Sequence, residues 1–331
     1  MAVPTRRAVL TALTVAILGA GVAAQQPGIP RLPVHVLDVV PPSAHVLGAP
    51  GSMRVQAQPG RAGATASTRR RIVDIAVQDW GFFGFRLAAA DDGENEAPGE
   101  SRQRRSRLPA AEAARVAASI AGYWAVTPQG SWIVARQNDR WNGPDGITAR
   151  WNAPWSAAFI SWVMCEAGLA WASQFERAVA HHAYIDQALR ARDERAPQAG
   201  FVAFDVGETP IVPGDILCSS RRPVYRTLAE RRRQMGVGAR SHCDIVVKVD
   251  EGRGRVLAIG GNVRGVVSLK IFPTVRDRDR ELRAETGNPD RPIFAHLKLR
   301  AAPIPGDALE SSPAMAAAST RLRLLDALGS Y

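Results

Sequence analysis

Lysine is almost missing from this 331-residue chain. Only Lys248, Lys270 and Lys298 occur, so arginine carries nearly all of a net charge of +11. Such a bias follows genome composition as readily as function. Charge alone therefore does not nominate a nucleic-acid partner, and no nucleic-acid reading motif accompanies it. Cysteine is scarce and odd in number: Cys165, Cys218 and Cys243. No pair has metal-ligand spacing, so neither a metal nor a cofactor is predicted. Cys218 and Cys243 could bridge in an oxidising compartment; buried free thiols are the alternative. Beyond the N terminus, no stretch reaches the roughly 18 apolar residues of a membrane span.

What is present begins with an export pattern. Arg6 and Arg7 precede an apolar run from Ala8 to Ala23, and Val22-Ala23-Ala24 offers small residues for cleavage. Residues 1–24 therefore read as a signal peptide, and Thr5-Arg6-Arg7-Ala8-Val9-Leu10 fits a twin-arginine signal. No cysteine follows the run, which argues against a lipoprotein anchor. The expected location is periplasmic or secreted, with no membrane span after cleavage; a retained N-terminal anchor is the remaining membrane option. A basic exported chain would be drawn to peptidoglycan or another anionic envelope polymer. Oligomeric state is not legible.

Residues 25–70 are rich in Pro, Ala, Gly and Val without steady periodicity, and read as a linker or loosely ordered arm. Residues 71–300 form the predicted domain, and 301–331 a Pro/Ala/Ser-rich tail. Helical spacing covers 72–85, 110–124 and 173–192. Short strands follow at 201–204, 215–218, 244–249, 255–259, 266–272 and 294–299. Pro213-Gly214 and Gly260-Gly261 punctuate them as turns. Helices first and an antiparallel meander second imply an α+β domain, with N-terminal helices packed on a small antiparallel sheet. An arginine-rich insertion at 221–240 reads as a solvated loop or a basic flap.

Trp155-Ser156-Ala157-Ala158-Phe159-Ile160-Ser161-Trp162-Val163 reads as a short helix with one buried face, between Pro154 and a Gly168 stop. Ser156 falls in its first turn, among N–H groups with no helical partner, where a developing oxyanion can be held. A capping serine is the plainer alternative. The neighbouring tryptophans are core residues or a sugar-binding face. His242 stands at the mouth of an apolar strand and could take a hydroxyl proton near neutral pH. Asn262 follows the next strand and could fix its tautomer. Asp244 is an alternative partner for His242. His181 is a lesser candidate, otherwise a helix-packing histidine.

These pieces have a resemblance. The Trp155–Val163 stretch is similar to the Trp-Cys-Ala-Ala-Phe-Val-Ser-Trp-Val signature of CHAP amidases, within the NlpC/papain-like group. Pro213-Gly214-Asp215-Ile216-Leu217 resembles that group's Pro-Gly-Asp strand. Ser241-His242-Cys243-Asp244-Ile245-Val246 resembles its histidine strand, and Gly260-Gly261-Asn262 the turn carrying its third polar residue. Closer still is the resemblance to a bacterial family of unknown function with serine in this place, which His181-His182-Ala183-Tyr184-Ile185 also fits. The resemblance implies a papain-like (CHAP/NlpC-like) fold with Ser156 as nucleophile, His242 as general base and Asn262 as orienting group. Trp155, Asp244 and His181 would be supporting residues.

The departure is chemical. A thiol near pKa ~8.5 ionises readily beside a helix N-terminus and a histidine. A hydroxyl does not, so Ser156 must lose its proton to a base during attack. Three functions remain: an exported envelope hydrolase cutting amide or ester bonds in peptidoglycan peptides, an inactive descendant that binds cell-wall fragments, or a structural envelope protein whose cleft the Trp-rich segment blocks.

Overall fold

The structure, a computed structural model, describes residues 28–56, 63, 65, 67–92, 108–276 and 281–318. The signal-peptide stretch 1–24 and the end of the tail lie outside the described residues. In chain order the described elements begin with α1 (Val34–Leu37), β1 (Val46–Leu47), β2 (Arg54–Val55), α2 (Thr68–Phe82) and β3 (Arg86–Ala88). Helices α3 (Ala110–Ala125), α4 (Gly130–Trp141), α5 (Ser156–Glu166) and α6 (His182–Arg192) follow. Then come β4 (Phe201–Phe204), β5 (Ile216–Arg222), α7 (Leu228–Arg233), β6 (Arg240–Asp250) and β7 (Arg255–Val263). The series ends with β8 (Val266–Val275), β9 (Arg283–Ala284), β10 (Ile293–Leu299) and α8 (Pro313–Ala317).

The class is α+β, as expected, but the sheet is neither small nor purely antiparallel. It has eight strands in the order β3-β8-β7-β6-β5-β10-β4, with β9 on β8. The β3–β8 pair is parallel. Strand β3 escapes sequence reading because it is three residues long and follows directly on a helical apolar pattern.

Helix α5 packs against β6 and β7, and α2 and α3 pack on α5 in turn. All eleven residues of α5 are buried, so it is a core helix rather than one with a single buried face. Trp80, Trp124, Phe159 and Trp162 share this core with Ile245, Leu257 and Leu269 of the sheet. Each such side chain contributes about 1.5–3 kcal/mol of burial. A smaller cluster, Leu217, Val246, Val256, Ala258 and Phe272, lies apart from it.

The described part of 25–70 carries core residues. Leu37, Val39, Val46 and Met53 are buried, and the Val40 N–H donates to Glu166 Oε2 at the end of α5 (3.0 Å). The predicted helix 173–192 starts only at His182, because Gln187 reaches back to hold the preceding loop. Its amide donates to Ala172 O (2.8 Å) and Ser173 O (3.2 Å), and accepts from Glu176 N–H (2.7 Å). Within the arginine-rich insertion, Arg231 is buried on Asp186 (2.6 Å), whereas Arg232 and Arg233 are exposed.

Candidate active site

Ser156 is the first residue of α5 and Trp155 its N-cap. Trp155 is core: its ring stacks between Phe83 (centroids 5.9 Å apart) and Tyr123 (5.7 Å). That packing fixes where the helix begins and hence where the Ser156 hydroxyl points. The hydroxyl is joined by a hydrogen bond to Nε2 of His181, and Nδ1 of the same ring is joined to the Tyr184 hydroxyl. His181 caps α6 and Tyr184 is one turn further on, so the pair is set by helical spacing.

His242 lies beside His181, ring centroids 5.5 Å apart. Its Nε2–H donates to Asp244 Oδ1 (3.0 Å), and Lys270 on β8 donates to Asp244 Oδ2 (3.1 Å). A neutral imidazole with its proton on Nε2 leaves Nδ1 as a bare acceptor. That Nδ1 is buried and has no hydrogen-bond partner among the described residues. Cys243 alternates to the other face and bridges to Cys218 on β5, its register partner.

The whole cluster is enclosed. Ser156 and His242 have no exposed surface, and His181, Asp244 and Lys270 are buried. Burial holds His181 well below its ordinary value, with His242 adding to the effect and Asp244 opposing it. Burial also lowers His242, against the pull of Asp244. Burial pushes the Asp244 carboxyl up, but the His242 and Lys270 side chains bonded to it reverse this and hold it well below the carboxylate range. His242 and Lys270 together keep Asp244 ionised, although burial lowers Lys270 from its own ordinary value.

The Gly260-Gly261 pair is not a turn. Both residues lie inside β7, where the pairing with β8 shifts register. A Cβ on Gly260 would come within 2.0 Å of Asp244 Oδ1 and 2.9 Å of His242 Nε2. A Cβ on Gly261 would come within 2.6 Å of Phe159 Cβ. The first glycine makes room for the histidine–carboxylate pair and the second for α5. Asn262 is half-buried with φ of 57°, and no hydrogen bond joins it to His242.

The structure thus bonds Ser156 to His181 and His242 to Asp244, with the two imidazoles side by side and Trp155 in support; no hydrogen bond joins Ser156 to His242, the base expected for it. It holds Asn262 away from both pairs. Lys270 and Tyr184 are members that sequence reasoning missed. Lys270 left a signal, being one of only three lysines and interrupting an apolar strand. Tyr184 left one in its spacing from His181. Among the described residues, no cluster of His, Cys, Asp and Glu is suited to a metal, and no helix is long and apolar enough to cross a membrane.

The fold and the cluster define the class: an α+β domain that buries a serine at a helix start, beside two imidazoles and a lysine-paired carboxylate. The chain belongs to DUF2272, a family of uncharacterized proteins conserved in bacteria, which matches residues 115–299 and so spans the whole cluster. No curated protein and no solved structure matches it.

Proposed function

We propose that the protein is an exported hydrolase of amide or ester bonds in the cell envelope, acting on peptidoglycan peptides, with Ser156 as nucleophile. The observation that carries this reading is the Ser156–His181 hydrogen bond at the mouth of α5, with His242 alongside. A neutral His181 that donates Nδ1–H to Tyr184 has Nε2 ready to accept the Ser156 proton as Oγ attacks the carbonyl carbon. The developing oxyanion would lie against the backbone N–H groups of the first turn of α5, at the positive end of its dipole. His181 would then return the proton to the leaving group, and a water molecule would release the acyl chain from Ser156 by the reverse path. His242, oriented by Asp244, stands as a second acceptor beside the first. It takes the place that the resemblance to papain-like amidases gives to the base, with Asp244 in place of Asn262 as its partner. The packing of α5 on β6 and β7 supports that resemblance. The Cys218–Cys243 bridge supports an oxidising compartment.

A second reading has an observation of its own. Ser156 and His242 are wholly buried, as expected of an inactive domain that binds wall fragments elsewhere on its surface. A serine-directed fluorophosphonate probe on the purified protein separates the two. Labelling is expected in the wild type, absent in Ser156→Ala, and reduced about 10²–10⁴-fold in His181→Gln, the usual worth of a positioned base. Labelling that survives Ser156→Ala removes the serine from the chemistry. An unlabelled wild type favours the binding reading.

A further inference from the structure

Two of the eight tryptophans stay largely in solvent, Trp132 (60% exposed) and Trp171 (58%). The Arg136 guanidinium covers the Trp132 ring at 4.9 Å. No ring or cation stacks on Trp171 among the described residues. Trp171 lies past the far end of α5 from Ser156. Eleven helical residues at 1.5 Å each put roughly 16 Å between the two ends of that helix.

Trp171 is not held out by slackness. Its carbonyl accepts from the N–H groups of Gln174 (2.9 Å) and Phe175 (3.0 Å), and its own N–H points at Gln174 Oε1 (3.4 Å). The buried Gln187 amide pins the next two carbonyls, and Phe175 anchors the loop in the core. The loop therefore presents a large apolar ring to water from a fixed backbone, which removes much of the ordering cost of binding. Trp171 borders a cavity of about 560 Å³ completed by Ala172, Ser173, Gln174 and Gln198. Every lining residue is uncharged, in a chain where 22% of residues are charged. The second cavity, about 1080 Å³, carries charge of both signs among its lining residues, including Arg192, Asp205, Glu208 and Arg283.

A flat aromatic face flanked by side-chain amides and a hydroxyl suits a ligand with one apolar face and a rim of neutral hydrogen-bonding groups. A pyranose ring has that chemistry; an acidic polymer backbone does not. We infer that Trp171, Ser173, Gln174 and Gln198 form a binding subsite for a neutral β-linked glycan chain. The ring chemistry comes from the cleft itself. The choice of a β-linked chain rests on the envelope reading above.

Calorimetric titration of the full chain with chitotetraose and with cellotetraose tests it. The first carries acetamido groups and the second only hydroxyls, so the two arms show which sugars the amides select. Binding of either one is expected, weakened about tenfold or more by Trp171→Ala. Gln198→Ala should weaken it less, and Trp132→Ala should leave it unchanged. Both tryptophans are on the surface, so melting curves should show all variants folded. No binding of either sugar at millimolar concentration, or binding indifferent to Trp171→Ala, overturns the subsite. Ser156→Ala should bind with unaltered affinity, and Trp171→Ala should label normally with the fluorophosphonate. Sugar binding without labelling would then retire the hydrolase alone, and labelling without sugar binding the subsite alone.

Discussion

The molecule buries two clusters built from the same parts, and they are used differently. At the end of α5, His242, Asp244 and Lys270 form a histidine–carboxylate–cation set. Under β5 and β10, His296, Asp215 and Arg69 form another: His296 Nε2 meets Asp215 Oδ2 at 2.8 Å, and Arg69 meets Oδ1 at 2.7 Å. In the second set the cation is a planar fork, and it also donates to the carbonyls of Pro213, Leu299 and Ala301. Asp215 accepts from the N–H groups of Val212 (3.1 Å) and Leu299 (3.1 Å) as well. Five of the seven hydrogen bonds there end on backbone, so the set ties α2 to the ends of two strands. In the first set the bonds run from side chain to side chain, and its imidazole lies against His181, which holds the Ser156 hydroxyl; the Nδ1 of the histidine is bare in both sets. Composition does not separate a clamp from a site; the destination of the hydrogen bonds does.

The contrast is most exposed to failure at Arg69. Removing one partner of a buried pair strands the other charge, at a cost of about 3–5 kcal/mol. Arg69→Ala should therefore lower stability by that much in denaturant melts, while the fraction still folded labels normally at Ser156. A cost below about 1 kcal/mol would mean that the backbone ties carry little and that the two clusters are not distinct in kind.

Much of this is legible in the amino-acid sequence. The helix of Ser156, the strands of Asp215 and His242, and the α+β order follow from periodicity and from short motifs. The strand of Asp215 was read as a structural element, and it carries the clamp. What was not legible depends on tertiary neighbours. His181 reads as an ordinary helix residue because the loop before it has helical spacing, and tertiary hydrogen bonds, those of Gln187 and of Ser161 with Ala178, hold that loop out of the helix. Gly260-Gly261 looked like a turn because glycine pairs usually mark one. Here the missing Cβ atoms serve two packed neighbours, Asp244 and Phe159, that lie far away in sequence. Asn262 was placed by analogy with a third polar residue, but Asp244, two positions along the same strand as His242, reaches that nitrogen first.

The two glycines sharpen the comparison at single-residue scale. Overpacking typically costs about 1–3 kcal/mol, and both Gly260→Ala and Gly261→Ala should show it in melts. Only Gly260→Ala displaces Asp244 from His242, so only that variant should also lose fluorophosphonate labelling. Equal labelling in the two would mean that the His242–Asp244 pair is part of the packing and not of the chemistry.

The smallest effect is one of pH, and its sign follows from which groups are depressed. His181 and His242 both have folded values below the ordinary 6.5. Below that pH the unfolded chain takes up protons that the folded chain refuses, so stability is full above about 6.5 and falls as the solution is acidified. Asp244 and Asp215 are also held below their ordinary 3.8, so their contribution is present above that value and is lost only in a second, more acidic window. The imidazole window belongs to the α5 cluster, and the carboxylate window is shared with the clamp. Melting temperatures of the wild type should therefore decline between about pH 7 and pH 5, well before the carboxylates respond. In His181→Gln the decline over the same interval should be shallower, because one refused proton is gone, while the acid limb below pH ~4 stays unchanged. A wild type that melts at constant temperature down to the carboxylate range would show that the two imidazoles take up protons in the fold as easily as in the unfolded chain. They could not then be standing neutral beside Ser156 through the acidic range.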